Sequence, residues 1–254
     1  MNSKQYYSSK GSYLKEHKKY FSHQQFKKDV DFLVSALKLK KTDRILDLAC
    51  GHGRHTIELK KRGFDIEGLD FSNHLLEIAE EQARQKNLKI NFYKQDIHKI
   101  NLQKKYDKIF LFFSEFGLFD AEKALKNTAK ILKDNGLFLL DCDNIFRVVR
   151  YLTKHPRAPY EFDFVKMELK EKKEDNGKGV RYYTFPELER IFNNNKLRVF
   201  SIYGNYKKEK LNINSKRMII VGKKVKGFTG DSSTDSNSLG ITRYAAQSNP
   251  SSSF

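Results

Sequence analysis

The sequence predicts an α/β fold built on a doubly wound, mostly parallel sheet, and three observations carry that prediction. Short apolar runs suited to buried parallel strands alternate with helical patterns. The turn Gly51-His52-Gly53 breaks the first of these runs just before a helix. Asp70 ends the next run, 19 residues after Gly51, where an acid can accept hydrogen bonds from both hydroxyls of a ribose.

The elements follow in order. Ile45, Leu46 and Leu48 make the first strand, a helical pattern runs through Ile57 and Leu59, and Gly63 ends it. Phe64 to Leu69 supplies the second strand, Leu88 to Phe92 a third, and Tyr106 to Phe113 a fourth. Ala124 to Leu132 is helical, and a turn from Leu132 to Gly136 leads into a fifth strand ending at Asp141. Phe162 to Phe185 reads as a hairpin: Val165, Met167 and Leu169 alternate with polar residues, Asp175-Asn176-Gly177 offers the turn, and Val180 to Phe185 returns. Tyr183 to Leu188 opens a last helix, and Arg217 to Val221 forms a closing strand. From Gly227 the chain has many serines, no lysine and almost no periodicity, so residues 227–254 are expected to be a disordered tail.

The loop decides which nucleotide-type ligand the pocket suits. A G-x-G-x-x-G loop would place glycine where Thr56 stands, so the close helix approach that favours a pyrophosphate is not provided for. Instead the loop reads Asp47-Leu48-Ala49-Cys50-Gly51-His52-Gly53, with an acid four residues before the first glycine. This resembles motif I of the class I S-adenosylmethionine-dependent methyltransferases. The resemblance extends to Gln95-Asp96-Ile97 after the third strand, to the Tyr106-Asp107 entry of the fourth, to the Leu132-Lys133-Asp134-Asn135-Gly136 turn and to the closing strand, spanning roughly Gln24 to Lys224. It is nearest to a bacterial small-molecule branch with Phe-Ser-x-Phe-Gly after the fourth strand, here Phe113 to Gly117.

The resemblance implies a Rossmann-like seven-stranded sheet, mostly parallel with an antiparallel last strand, and a small insertion. It divides the chain into an N-terminal helical lid segment (1–40), a methyltransferase domain (41–226) with a substrate-side insertion with hairpin (145–184), and the tail. It implies S-adenosyl-L-methionine as cofactor, held by Asp47, Ala49, Cys50, Gly51, Gly53, Asp70, Phe71, Gln95, Asp96, Ile97 and Phe113, with Tyr7 closing over it. Asp70 would take the ribose and Asp96 the adenine amine. Asp47 would hold the ammonium, directly or through water.

The sulfonium is already activated, so holding the acceptor in line supplies most of the rate, and a base is needed only for a protonated acceptor. Candidates lie at the carboxyl ends of strands four and five: Glu115, Asp143 and Asn144. Each has a plain alternative, as a cap, an ion-pair partner or a turn former. His52 and His55 can reach cofactor or substrate, although helix packing explains His55 better, and His74 reads as a surface residue. Phe112, Phe116 and Phe119 suit either an apolar wall or the core.

Composition excludes less than it suggests. The formal net charge of +18 draws the chain toward phosphates at low salt, yet the lysines are scattered along helix faces, and no arginine-rich arm, aromatic nucleic-acid motif or zinc spacing stands out. No metal site is read. Two cysteines, Cys50 and Cys142, define no disulfide framework. There is no run of eighteen apolar residues and no signal-peptide pattern, so a cytoplasmic enzyme with no membrane association is expected. Three classes stay open. The leading one transfers a methyl group to N or O of a small molecule. The second is an RNA or other macromolecular methyltransferase, against which the Asn-Pro-Pro-Tyr type motif is absent. The third is a noncatalytic cofactor binder.

Overall fold

The computed structural model describes residues 7–8, 11, 15, 23–112, 116–172 and 179–227. Phe113, Ser114, Glu115, the turn Asp175-Asn176-Gly177, and residues 228–254 of the expected disordered tail lie outside them, as do 18 of the 40 residues of the expected lid. The chain runs α1 (His23–Ala36), β1 (Arg44–Leu48), α2 (Arg54–Lys61), β2 (Asp65–Asp70), α3 (Asn73–Arg84) and β3 (Phe92–Lys94). It continues with β4 (Tyr106–Leu111), α4 (Ala121–Ile131), β5 (Leu132–Asp143), α5 (Ile145–Lys154), β6 (Tyr160–Asp163), β7 (Glu168–Glu171), β8 (Val180–Arg181), α6 (Phe185–Asn194), β9 (Leu197–Tyr203) and β10 (Arg217–Lys224).

Seven strands form one sheet in the order β3-β2-β1-β4-β5-β10-β9. The pairs from β3 to β5 are parallel, and β10 runs antiparallel to both β5 and β9. The expected fold class therefore holds. The strand order reverses beside β1, which opens a crevice at the carboxyl ends of β1 and β4.

Side chains alternate between the two faces along each strand. Leu46, Leu48, Ile109, Leu111, Phe138 and Leu140 pack with α4 and α6 into one core. Ile45, Ile66, Phe110, Leu139 and Ile219 pack with α1 and α2 into the other. By the same alternation Asp47 and Asp141 face the α1/α2 side. Helices α3 to α6 start where short polar side chains take orphan amides, whereas α2 starts at Gly53 with no side-chain cap. Ser72 accepts from Leu75 N at 3.3 Å, Asp120 from Lys123 N at 3.1 Å, and Thr184 with Glu187 closes a capping box.

Three expectations need correction. The third strand is Phe92–Lys94, not Leu88–Phe92. Asn87 ends α3 with a φ of 55° and Leu88 N bonds back to Ala83 O, so Leu88 closes the helix. Strand four stops at Leu111, and β5 already begins at Leu132, with Asn135 at φ 63° inside it. The expected hairpin is present as β7-β8, with Leu169 opposite Val180, but β6 adds a third antiparallel strand to it and α5 precedes the sheet. Asp163 Oδ1 accepts from both Val165 N and Lys166 N at 2.9 Å, and this side-chain turn takes Val165 and Met167 out of the expected strand.

Candidate functional site

The loop after β1 is built from left-handed residues at alternate positions: Ala49 at φ 53°, Gly51 at 55° and Gly53 at 74°. Cys50 N extends the parallel ladder to Leu69 O at 3.0 Å, and Ile57 N bonds to Gly53 O at 2.8 Å, so the loop turns straight into α2. A side chain at Gly53 would stand 2.8 Å from Ala79 Cβ and 3.2 Å from the Phe92 ring. At Gly51 the nearest atom would be Leu75 Cδ1 at 3.8 Å, an ordinary van der Waals contact, so a side chain there would meet no clash.

Asp70 ends β2 directly across from the loop. Its Oδ2 accepts from Gly51 N and its Oδ1 from Ser72 N, both at 2.8 Å. Burial pushes its carboxyl up, against the lowering bonds from Ser72, Gly51 and Phe71. Two amides thus fix the acid while each oxygen keeps further acceptor capacity.

Asp47 lies beneath the loop, 2% exposed, and accepts from Thr56 Oγ1 at 2.7 Å. Burial pushes its carboxyl up to about 7, with the Thr56 bond lowering it and the neighbouring Asp70 raising it. The chain thus holds a buried acid whose charge is poorly compensated. Thr56, seen in the sequence only as a missing glycine, is its hydrogen-bond partner.

The third contribution follows β3. Gln95 N bonds to Asp70 O at 3.0 Å, which places Asp96 one strand beyond the ribose-type acid. The Gln95 side chain is spent on closing its own loop, accepting from Asn101 N at 2.8 Å. Ile97 is buried in the core beside Leu69. Phe71 meets the Tyr7 ring edge-on at 5.6 Å, and Ser72 Oγ donates to Tyr7 O at 2.7 Å, which brings the N-terminal segment to the end of β2.

On the acceptor side, the structure gives the described candidates structural partners. Asp143 Oδ1 accepts from Arg147 at 2.9 Å and Arg217 at 2.7 Å. Asn144 is buried as the cap of α5, accepting from Phe146 N and donating to Ser215 O at 2.9 Å and Asn212 O at 3.2 Å. Both therefore serve the fold locally, Asp143 as a strand-end acid beside two arginines and Asn144 as a capping amide. Glu115 lies outside the described residues, as does the cofactor candidate Phe113.

The sequence missed the cluster that occupies the α1/α2 face here. Asp141, fully buried, accepts from Arg217 Nε at 2.8 Å and from the Tyr206 hydroxyl at 2.9 Å. The Phe112 ring packs 5.2 Å from Tyr206, 6.2 Å from Phe32 and 5.1 Å from His55. His55 is 5% exposed, and burial, Arg54 and His52 push its imidazole well down, so it is a neutral packing residue. Burial and Arg54 push His52 down to about 4. Phe116 and Phe119 join the opposite core, and His74 is half-buried on α3. The insertion reaches this end through β8, since Gly117 packs directly on the Arg181 backbone and Phe116 lies 5.5 Å from Tyr183. Such close packing leaves a trace in the sequence only as a glycine.

Residues 45–136 match the family model described as a methyltransferase domain. The chain is 30% identical over 128 residues to glycine/sarcosine N-methyltransferase of Aphanothece halophytica, a match covering 48% of each chain. It is 30% identical over 127 residues to ubiquinone biosynthesis O-methyltransferase of Coxiella burnetii (strain Dugway 5J108-111), covering 49% of this chain and 53% of the relative. The chain spans about half the length of the curated relatives it matches. In fold it resembles a solved S-adenosylmethionine-dependent methyltransferase from Clostridium acetobutylicum ATCC 824, with a TM-score of 0.68 at 21% identity, over 85% of this chain and all of that one. No helix among the described residues is long and apolar enough to cross a membrane. The glycine loop over a buried acid and the sheet order agree with these likenesses: residues 45–136 match a methyltransferase domain, and the fold is that of solved S-adenosylmethionine-dependent methyltransferases.

Proposed function

We propose that the protein transfers the methyl group of S-adenosyl-L-methionine to an N or O atom of a small molecule. The observation that carries this reading is the pair of buried acids, Asp47 and Asp70, around an open glycine loop. Two carboxylates at the N-terminus of α2 repel a pyrophosphate and suit a ligand with a ribose and an ammonium but no phosphate. The residues fit that cofactor: Asp70 keeps acceptor capacity for a ribose, and Asp47 carries a buried charge that an ammonium would meet.

When bound, the cofactor supplies a methyl group activated by the sulfonium for in-line displacement. What remains for the chain is to hold and orient. In this reading Asp70 fixes the ribose, Asp96 reads the adenine amine, Asp47 anchors the ammonium and the Tyr7 segment covers the site. The end of β4, the Tyr206 loop and the β6-β7-β8 insertion wall the acceptor side. The relatives' names cover both N- and O-methylation, so the acceptor atom is left open between the two.

Calorimetric titration with S-adenosylmethionine, its demethylated product and NAD tests the reading. Selective binding of the first two, weakened by roughly 1.5–3 kcal/mol in Asp70→Ala, is the expected result. Binding of NAD alone, or unchanged affinity in a folded Asp70→Ala variant, would overturn it. The charge of +18 favours an RNA acceptor as a second reading. RNA binding that persists at moderate salt would support it, and binding that vanishes with salt would leave only the charge.

A further inference from the structure

We infer that His98 is a positioning residue that sets Asp96 for recognition of the exocyclic amine of adenine. The inference rests on the cofactor reading above and adds a residue with no role in it so far. Asp96 caps the short helical turn Ile97–Lys99. Its Oδ1 accepts from His98 N at 2.9 Å and lies 2.7 Å from His98 Nδ1. His98 Nε2 in turn accepts from Asp120 N at 3.0 Å.

That last bond decides the tautomer. A backbone amide can only donate, so Nε2 carries the lone pair and the ring proton sits on Nδ1, directed at Asp96. Oδ1 is therefore engaged twice by one residue, and among the described residues no group donates to Oδ2. The Asp96 side chain is 52% exposed and without the imidazole would be held by the His98 amide alone, whereas His98 is 24% exposed, held at both nitrogens and packed 6.0 Å from Phe119. The imidazole thus takes its orientation from the start of α4 and passes it to the acid. Oδ2 is left as the oxygen available to an amine that donates a proton.

The discriminating measurement is the affinity ratio between S-adenosylhomocysteine and S-inosylhomocysteine, in which a carbonyl replaces the amine. It is read by calorimetry on the parent protein and on Asp96→Asn, His98→Ala and His98→Asn. The parent should favour the adenosyl ligand by about tenfold or more, as for a hydrogen bond to a charged acceptor. His98→Ala should lose most of that preference by weakening the adenosyl ligand alone. His98→Asn, whose amide nitrogen can stand near the Nδ1 position, should recover part of it. A role confined to folding would weaken both ligands equally and overturn the inference. Full discrimination in His98→Ala, with discrimination lost in Asp96→Asn, would also overturn it while leaving the adenine reading intact. Full discrimination in Asp96→Asn would refute the adenine reading itself, and the inference with it.

Discussion

Replacing Gly53 by alanine should destabilise the protein far more than the same change at Gly51, although both glycines have left-handed backbones in one loop. The left-handed conformation costs an alanine about 1–2 kcal/mol. Loss of freedom in the unfolded chain offsets about 0.4–1 kcal/mol of that at either site. At Gly51 nothing else is added, because the new methyl group would meet only Leu75 Cδ1 at 3.8 Å, and the net loss should be about 1 kcal/mol or less. At Gly53 the methyl would lie 2.8 Å from Ala79 Cβ, on the buried face of α3, and 3.2 Å from two atoms of the Phe92 ring. Ala79 has no flexible end to withdraw, so α2 or α3 must shift, adding an overpacking cost of about 1–3 kcal/mol. Gly53→Ala should therefore lose about 2–4 kcal/mol in urea unfolding at equilibrium. Equal losses for the two variants, or less than about 1 kcal/mol for Gly53→Ala, would refute the argument that close approach of α3 fixes this glycine.

Outcomes are expected at four further residues. Asp47, raised to about 7 by burial, binds more protons folded than unfolded, so it lowers stability progressively as pH rises from about 4 to about 7. Asp47→Asn should remove that slope. An ammonium bound beside the parent's acid should expel its proton near pH 6–7, read as binding heats that vary with the buffer's ionisation enthalpy, and equal heats would sink the assignment. Glu67 behaves oppositely: burial raises its carboxyl, but bonds from Lys104, Asn91, Tyr106 and Tyr93 override that and hold it at about 2. It contributes on the order of 3 kcal/mol above the usual glutamate range, lost as pH falls toward about 2, and Glu67→Gln should be destabilised at neutral pH and flat across that window. Asn144→Ala should cost about 2–4 kcal/mol through the lost cap and two orphaned carbonyls. Asp143→Asn should leave the shape of the pH–rate profile unchanged, and loss of a limb of that profile would restore Asp143 as a base.

The proposed cofactor side of the site is legible in the sequence because it is local. Each contributing loop leaves the carboxyl end of a strand within a few residues of the signal that announces it: Asp47 before Gly51, Asp70 before Ser72, Gln95-Asp96 after the third strand. The cluster on the α1/α2 face, beside the proposed acceptor side, has no such signal. Phe32 comes from α1, His55 from α2, Phe112 from the end of β4, Asp141 from β5 and Tyr206 from the connection between β9 and β10. These meet only through the sheet order, in which β10 lies against β5. Strand ends were misread where a side chain competes with the ladder for an amide, as Asp163 does, or where a helix closes later than its apolar pattern suggests, as at Leu88.

Glu67 and Asp47 are two buried acids that their surroundings answer differently, and the difference supports the role proposed for Asp47. Both are buried, 6% and 2% exposed, and they sit on the adjacent strands β2 and β1. Burial pushes both carboxyls up by the same physics. Glu67 is answered by four donors, including an ammonium 2.7 Å away, and its carboxyl falls below the usual range. Asp47 is answered by the hydroxyl and amide of Thr56 and a more distant Arg54, with no cation in contact among the bonds described, and its carboxyl stays near 7. A carboxylate used only for architecture gains nothing from lacking a cation, since the desolvation cost then goes uncompensated. Such a deficit beneath an open glycine loop is the arrangement expected where the missing positive charge arrives with the ligand.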